Sequence, residues 1–138
     1  MAAKEWRVEG SSAGIAGAAR ALDTFSEERL LPSALVRTAH VALDEVLSNV
    51  VKAGFEPGAR GHFEMSLDTT AGVLELVVRY DGHPFNPLDR KDPDTHAALD
   101  DRPVGGLGIY FVKKLMDTVE YQRVGGANQL RMTKRIGQ

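Results

Sequence analysis

The sequence lacks several features that would each indicate a class of protein. It contains no cysteine, which excludes disulfides and thiolate chemistry and is consistent with a reducing compartment. No apolar run approaches the roughly 18 residues of a membrane-spanning helix. The opening stretch MAAKEWRVEG has no signal-peptide core, so we expect a cytoplasmic protein. The formal net charge is only −2, which indicates no general affinity for nucleic acid or an anionic membrane.

The composition is that of a globular protein. Apolar residues make up 43% and charged residues 26% of the 138 positions, and a chain of this length can bury a proper core. We find no internal repeat and no low-complexity segment. Residues 1–138 are therefore predicted to form a single domain.

A strand and a helix are predicted at the start of the chain. The stretch EWRVEG is short and alternates polar with apolar residues, which predicts a strand. The stretch SSAGIAGAARALDTFSEERL opens with serines suited to capping. It then carries apolar residues at the spacing of a helix, namely Ile15, Ala18, Ala19, Leu22 and Phe25. Gly14 and Gly17 interrupt this helix, and we interpret them as small residues that allow close packing.

The remaining pattern predicts one more long helix, two hairpins and a third helix. Pro32 suits the first turn of a helix that runs to about Ala53, where Gly54 and Pro57 stop it. Two alternating strands follow around Thr70–Gly72, and two more surround a GG turn near the end. Between them, a proline-rich stretch leads into GLGIYFVKKLMD, which has helical spacing. This order predicts an α+β two-layer sandwich: a mixed, mostly antiparallel sheet covered on one face by about three helices.

The second helix carries a polar triad, Glu45, Asn49 and Lys52, within one narrow sector. Leu43, Leu47 and other apolar residues fall roughly opposite, so the triad is expected to face away from the core. Any surface helix shows polar residues opposite a core stripe. The triad alone therefore does not distinguish a ligand site from an ordinary exposed face.

A second polar constellation favours a ligand. The motif DGHPFNP follows a strand, and GGLGIYFVKKL opens a helix after the proline-rich stretch. Glycines before a helix let backbone N–H groups approach closely, and the helix N-terminus favours an anion such as phosphate. More than twenty residues with four of the six prolines lie between a strand and that helix, which is typical of a functional lid or a disordered insert.

The motifs LDEVLSN, VVRYDGHPFNP and RPVGGLGIYFVKKLMD, in this order, resemble those of the GHKL ATPases, which share the Bergerat fold. That superfamily includes gyrase, the heat-shock chaperone, mismatch-repair ATPases and histidine kinases. In its short length and its PFNP and GGLGI motifs, the chain is most similar to the bacterial anti-sigma-factor serine kinases, which regulate partner-switching systems. The resemblance spans Val41 to the C-terminus by motif, and the earlier elements by their order.

The resemblance implies ATP and Mg²⁺ as cofactors and assigns roles by position. Glu45 matches the general base, and Asn49 matches the amide that binds Mg²⁺. Lys52 matches a basic side chain near the phosphates. Gly82 and Phe85 match the turn beneath the adenine. A lid at residues 86–104 is implied, and its hinge and anion-binding end match Gly105, Gly106, Leu107 and Gly108.

The chain departs from the family at the acid that reads the adenine amino group, two residues before the glycine at Gly82. Tyr80 occupies that position, and the nearest acid is Asp81. Successive side chains of a strand point to opposite faces of the sheet. Asp81 can therefore replace the missing acid only if the backbone turns between positions 80 and 81. The Tyr80 ring is an alternative contact, by stacking on the base or by donating a hydrogen bond.

The resemblance implies a kinase that phosphorylates a serine on an anti-sigma antagonist with the STAS fold. The unphosphorylated antagonist would compete with a sigma factor, or an analogous target, for this protein. A homodimer is expected by analogy, and no nucleic acid or membrane partner is expected. The alternative, which Tyr80 favours, is a weakly active or inactive module of the same fold that sequesters a partner.

Overall fold

The computed structural model describes residues 3–53, 61–89 and 106–137. Within these ranges the elements follow the predicted order. They are β1 (Lys4–Glu9), α1 (Ser12–Glu28), α2 (Ser33–Ala53), β2 (His62–Thr70), β3 (Val73–Tyr80), α3 (Gly106–Leu115), β4 (Thr118–Val124) and β5 (Ala127–Arg135). A short 3₁₀ turn, Pro87–Asp89, follows β3. The predicted stop at Gly54 and Pro57 lies outside the described residues, as does most of the expected lid.

The strands form one sheet in the order β1-β2-β3-β5-β4. We expected a mixed sheet, but all four described pairings are antiparallel. The crossover through α3 leaves β4 running in the same direction as β3. Because β5 lies between these two strands, they form no parallel ladder, and the sheet is antiparallel across the described strands.

The core lies between one face of the sheet and the three helices. Alternate strand residues such as Met65, Leu76 and Met132 are buried on this face, because successive side chains of a strand point to opposite sides. Leu43 and Leu47 of α2 were predicted to lie on the core side of the helix, and both are buried, as is Val50. Ile109 and Val112 of α3 are buried as well, as is Met116 directly after the helix, whereas Leu115 remains 38% exposed.

The start of α1 packs tightly against the end of β1. The hydroxyl of Ser11 accepts a hydrogen bond from the N–H of Gly14 at 3.2 Å, which caps the helix as the serines predicted. A β-carbon placed on Gly14 would lie only 1.7 Å from the carbonyl oxygen of Glu9, whereas one on Gly17 would lie 3.6 Å from the Arg20 side chain. Close packing therefore depends on Gly14 and not on Gly17.

Left-handed residues end α1 and form the β2–β3 turn. Leu30 has φ 54° and is 89% exposed. The N–H of Leu31 donates to the Ser26 carbonyl at 3.0 Å, which is the long hydrogen bond of a Schellman cap. Ala71 and Gly72 both have positive φ, as a two-residue type I′ hairpin turn requires.

No helix in the described ranges is long and apolar enough to cross a membrane.

Candidate functional site

Helix α2 carries the predicted triad, but its members differ in exposure. Glu45 is half-buried and Lys52 is exposed. Asn49 is only 9% exposed, so the expectation that the whole triad faces away from the core is wrong at this position. Its side-chain Nδ2 donates to the backbone carbonyl of Glu45 at 2.7 Å, one turn earlier in the helix.

This hydrogen bond fixes the chemistry that Asn49 can offer. An amide side chain has one NH₂ donor group and one oxygen acceptor. Because Nδ2 donates to the helix, the Oδ1 oxygen is the atom left to accept or to ligate. An amide oxygen is a hard ligand of the kind that Mg²⁺ prefers, so Asn49 fits the role that the resemblance implies for it.

The carboxylate of Glu45 lies against the first turn of α3. A β-carbon placed on Gly108 would lie 1.9 Å from Oε2 of Glu45 and 2.5 Å from its carboxyl carbon. Only a glycine at position 108 leaves room for this carboxylate. The structure thus brings together the acid of the triad and a glycine of the GGLGI motif, which are separated by more than sixty residues in sequence.

The N-terminus of α3 provides a positive electrostatic environment at this contact. The helix begins at Gly106, and the first N–H groups of a helix have no partner within it. The helix dipole adds a partial positive charge at the same end. Gly106 and Leu107 are within the first turn beside Gly108, while Gly105 lies outside the described residues.

The motif that follows β3 leads back to α2. Gly82 has φ 108°, a conformation that favours glycine, and its carbonyl accepts from Nη1 of Arg123 at 2.9 Å. The chain then passes Phe85, whose half-buried ring packs on the core, and reaches the 3₁₀ turn Pro87–Asp89, which lies against α2. All three predicted motifs therefore meet at α2.

Tyr80 is a structural residue of this turn. It is 1% exposed, and its hydroxyl donates to the backbone carbonyl of Phe85 at 2.6 Å. Burial raises the pKa of the Tyr80 hydroxyl above its ordinary value, with a further contribution from Tyr121, so the group stays a neutral donor. The suggestion that this ring stacks on a base or donates to it is wrong, since both the ring and the hydroxyl are used within the protein.

Asn128 holds the same turn from β5, and it was missed in the sequence. It is fully buried at 0% exposure. Its Nδ2 donates to the carbonyls of Tyr80 at 3.2 Å and His83 at 3.1 Å. Its Oδ1 accepts from the N–H of Phe85 at 3.0 Å and from the hydroxyl of Tyr121. Every hydrogen-bonding position of this amide is thus occupied. The available signal was a polar residue at an inward position of an alternating strand.

Asp81 lies apart from the triad. It is exposed and lines a hollow with Arg7, His62, Glu64 and Arg79. The strand residues among these belong to the sheet face opposite the helices, because the buried strand positions alternate with them. The structure therefore does not bring Asp81 together with Glu45, Asn49 and Gly108.

Comparison with protein families matches most of the chain. Residues 9–134 match the family described as the histidine kinase-like ATPase domain. The serine/threonine-protein kinase BtrW of Bordetella bronchiseptica is 30% identical over 96 residues, covering 70% of this chain and 68% of that protein. The serine-protein kinase RsbW of Bacillus subtilis is 29% identical over 100 residues, covering 68% of this chain and 61% of that protein.

A solved structure supports the fold. The crystal structure of the RsbU and RsbW domains of Rv1364c from Mycobacterium tuberculosis aligns with 99% of this chain and 33% of its own, with a TM-score of 0.70. The sequence identity is 12%, so this similarity bears on the fold alone. It agrees with the α+β sandwich predicted from the element order.

Proposed function

The chain belongs to the family of histidine kinase-like ATPase domains, and we propose that it is a cytoplasmic serine kinase of the anti-sigma-factor type that uses ATP and Mg²⁺. Residues 1–138 would form one kinase domain. The observation that carries this proposal is the contact between the Glu45 carboxylate and Gly108, because it joins two of the three motifs in one site. The named kinases among its relatives support the same reading.

Glu45 is proposed as the general base. Its carboxylate is half-buried beside the first turn of α3, and an ionised carboxylate is an acceptor of hydrogen bonds only. In this position it would orient the attacking serine hydroxyl of a partner and take its proton. Phosphoryl transfer depends mainly on positioning and charge neutralisation, so a small domain suffices for this chemistry.

The neighbouring residues are proposed to hold the phosphates. Asn49 would contribute its free amide oxygen to Mg²⁺, and the exposed ammonium of Lys52 would pair with phosphate oxygens. The first-turn N–H groups of α3, at Gly106, Leu107 and Gly108, would donate to the same anion. When bound, ATP supplies the phosphoryl group and Mg²⁺ neutralises its charge. Gly82 and Phe85 would form the turn beneath the base.

The proposed substrate is a serine on an anti-sigma antagonist with the STAS fold, and the antagonist would compete with a sigma factor or analogous target. The test is transfer of labelled phosphate from ATP to an antagonist encoded beside this chain, with Mg²⁺ present and absent. Stable label on a serine of the antagonist is the expected result. Binding of ATP without any transfer would contradict the kinase assignment.

Asn49→Ala is expected to weaken Mg²⁺-dependent ATP binding by about tenfold or more, because it removes a metal-ligating oxygen. The fold should be retained, since the lost hydrogen bond is local to the helix and alanine is the best helix former. Titration calorimetry with and without Mg²⁺ measures the first effect, and Ser48→Ala is the neighbouring control. A large drop in the melting temperature of the ligand-free variant would show that Asn49 serves the fold instead.

Gly108→Ala is expected to reduce phosphate transfer by about tenfold to hundredfold, because a methyl group there displaces the Glu45 carboxylate from its position. The free energy of unfolding should change by less than about 1 kcal/mol, since the contact is with the end of a flexible side chain. Transfer kinetics and thermal unfolding separate the two effects. Unchanged transfer in a folded variant would contradict the proposed placement of the base.

A second function, a module that sequesters a partner without phosphorylating it, is favoured by Tyr80 and Asn128. These residues replace a base-reading acid with a closed hydrogen-bonded turn. Under this alternative the chain binds its partner with the same affinity whether or not ATP is present. Calorimetry with the partner, in the presence and absence of ATP and Mg²⁺, distinguishes the two functions.

A further inference from the structure

Much of the hydrogen-bonding capacity of the turn from Tyr80 to Phe85 is used within the protein. The carbonyls of Tyr80 and His83 accept from Nδ2 of Asn128. The Phe85 N–H donates to Oδ1 of Asn128, and the Phe85 carbonyl accepts from the Tyr80 hydroxyl. The carbonyl of Gly82 accepts from Arg123. Four carbonyls and one N–H of this six-residue turn therefore already form hydrogen bonds within the protein.

The two polar side chains that hold the turn are also fully used. Asn128 is at 0% and Tyr80 at 1% exposure, and each of their donor groups has a partner in the protein. Asp81, the nearest acid, lies with the side chains of the opposite sheet face. None of these three residues can offer a free group to a base on the helix side of the sheet.

A protein distinguishes adenine from guanine chiefly by hydrogen bonds to the base edge. Adenine presents an amino donor at C6, and guanine presents a carbonyl acceptor there. A site with a matched free acceptor or donor discriminates strongly, because the wrong base leaves a buried polar group unpaired. Contact with an aromatic or apolar surface, such as the half-buried ring of Phe85, tolerates every base.

We infer that the site selects the triphosphate and not the base, so that adenine and guanine nucleotides bind alike. This inference rests on the proposed function, which places the base over the turn from Gly82 to Phe85. Tyr80 and Asn128 are then specificity-determining residues. They remove base recognition by closing the turn. The phosphates are the same in every nucleoside triphosphate, so the proposed contacts of Glu45, Asn49 and Lys52 do not depend on the base.

The first test compares the affinities of the full chain for ATP, GTP and inorganic tripolyphosphate in the presence of Mg²⁺ by titration calorimetry. The dissociation constants of ATP and GTP are expected to agree within about threefold, and tripolyphosphate is expected to compete with both. A preference for ATP of about tenfold or more would overturn the inference.

The second test uses Tyr80→Phe, which frees the Phe85 carbonyl oxygen. That oxygen can accept from the amino group of adenine but is repelled by the carbonyl of guanine. The preference for ATP over GTP should therefore rise by about fivefold, with tripolyphosphate binding unchanged. Tyr121→Phe is the matched control, since it also deletes a hydroxyl bonded in this network but frees no carbonyl of the turn; its preference should not change.

The outcomes separate this inference from the proposed function. Equal weakening of all three ligands in a folded Tyr80→Phe protein would show a purely structural role and overturn the assignment of Tyr80. Tight, ATP-selective binding with phosphate transfer would overturn the inference and leave the kinase intact. Equal binding of ATP and GTP without transfer to an antagonist would uphold the inference and overturn the kinase. Binding of none of the three ligands would overturn both.

Discussion

Replacement of Glu45 by glutamine is expected to slow phosphate transfer by about 10²–10⁴-fold, the range for loss of a general acid–base group. Glutamine has nearly the same shape and still fits beside Gly108, but its amide cannot take the proton of a serine hydroxyl. ATP affinity should change little, since this role is exercised only during transfer. Single-turnover transfer of labelled phosphate at saturating ATP measures the chemical step directly.

Asp44→Asn is the matched control for this experiment. Asp44 precedes Glu45 on α2, is exposed, and lies off the sector of the triad, so its substitution removes the same charge without touching the site. We expect its transfer rate to remain within about twofold of the unsubstituted protein. If Glu45→Gln transfers phosphate at the original rate, another group is the base; if both variants lose rate equally, the effect is one of net charge.

Periodicity was sufficient to predict the order of the helices and strands and the buried face of α1. Ala18, Leu22 and Phe25 of α1 are buried as their spacing indicated, because a helix brings residues three and four apart onto one face. The strand pairs followed from alternation around glycine turns. The order of the strands in the sheet could not be predicted in this way, because periodicity does not indicate which strands are neighbours. That is why a mixed sheet was expected where β5 separates β3 from β4.

The resemblance implied that the triad of α2 and the glycines that open α3 serve the same nucleotide, and in the structure the Glu45 carboxylate adjoins Gly108. The sequence could not reveal the partners of Tyr80 and Asn128. Their backbones are opposite each other in the β3–β5 ladder, yet they are 48 residues apart in sequence. A hydrogen-bonded pair of this kind depends on sheet register, which only the assembled fold defines. The burial of Asn49 depends likewise on how its neighbours pack.

Gly14→Ala is expected to destabilise the fold by about 3 kcal/mol or more, at or above the upper end of the usual cost of overpacking. The added methyl group would lie 1.7 Å from the carbonyl oxygen of Glu9 and 2.6 Å from its carbonyl carbon. Both atoms belong to the backbone of β1, so no side-chain rotation relieves the contact. Either β1 or the first turn of α1 must move, which also strains the Ser11 cap. Thermal unfolding should show a fall in melting temperature of roughly 10 °C.

Gly17→Ala, one turn later in the same helix, supplies the matched control. Its methyl group would meet only the end of the Arg20 side chain at 3.6 Å, and alanine stabilises a helix interior by about 0.5–1 kcal/mol relative to glycine. The same substitution is thus expected to lower stability at position 14 and to raise it at position 17. Equal changes in stability at both positions would mean that helix propensity alone determines them. That result would contradict the close packing of α1 against β1. Opposite signs would support the close approach of the Glu9 carbonyl to Gly14, because the same methyl group is added at both positions.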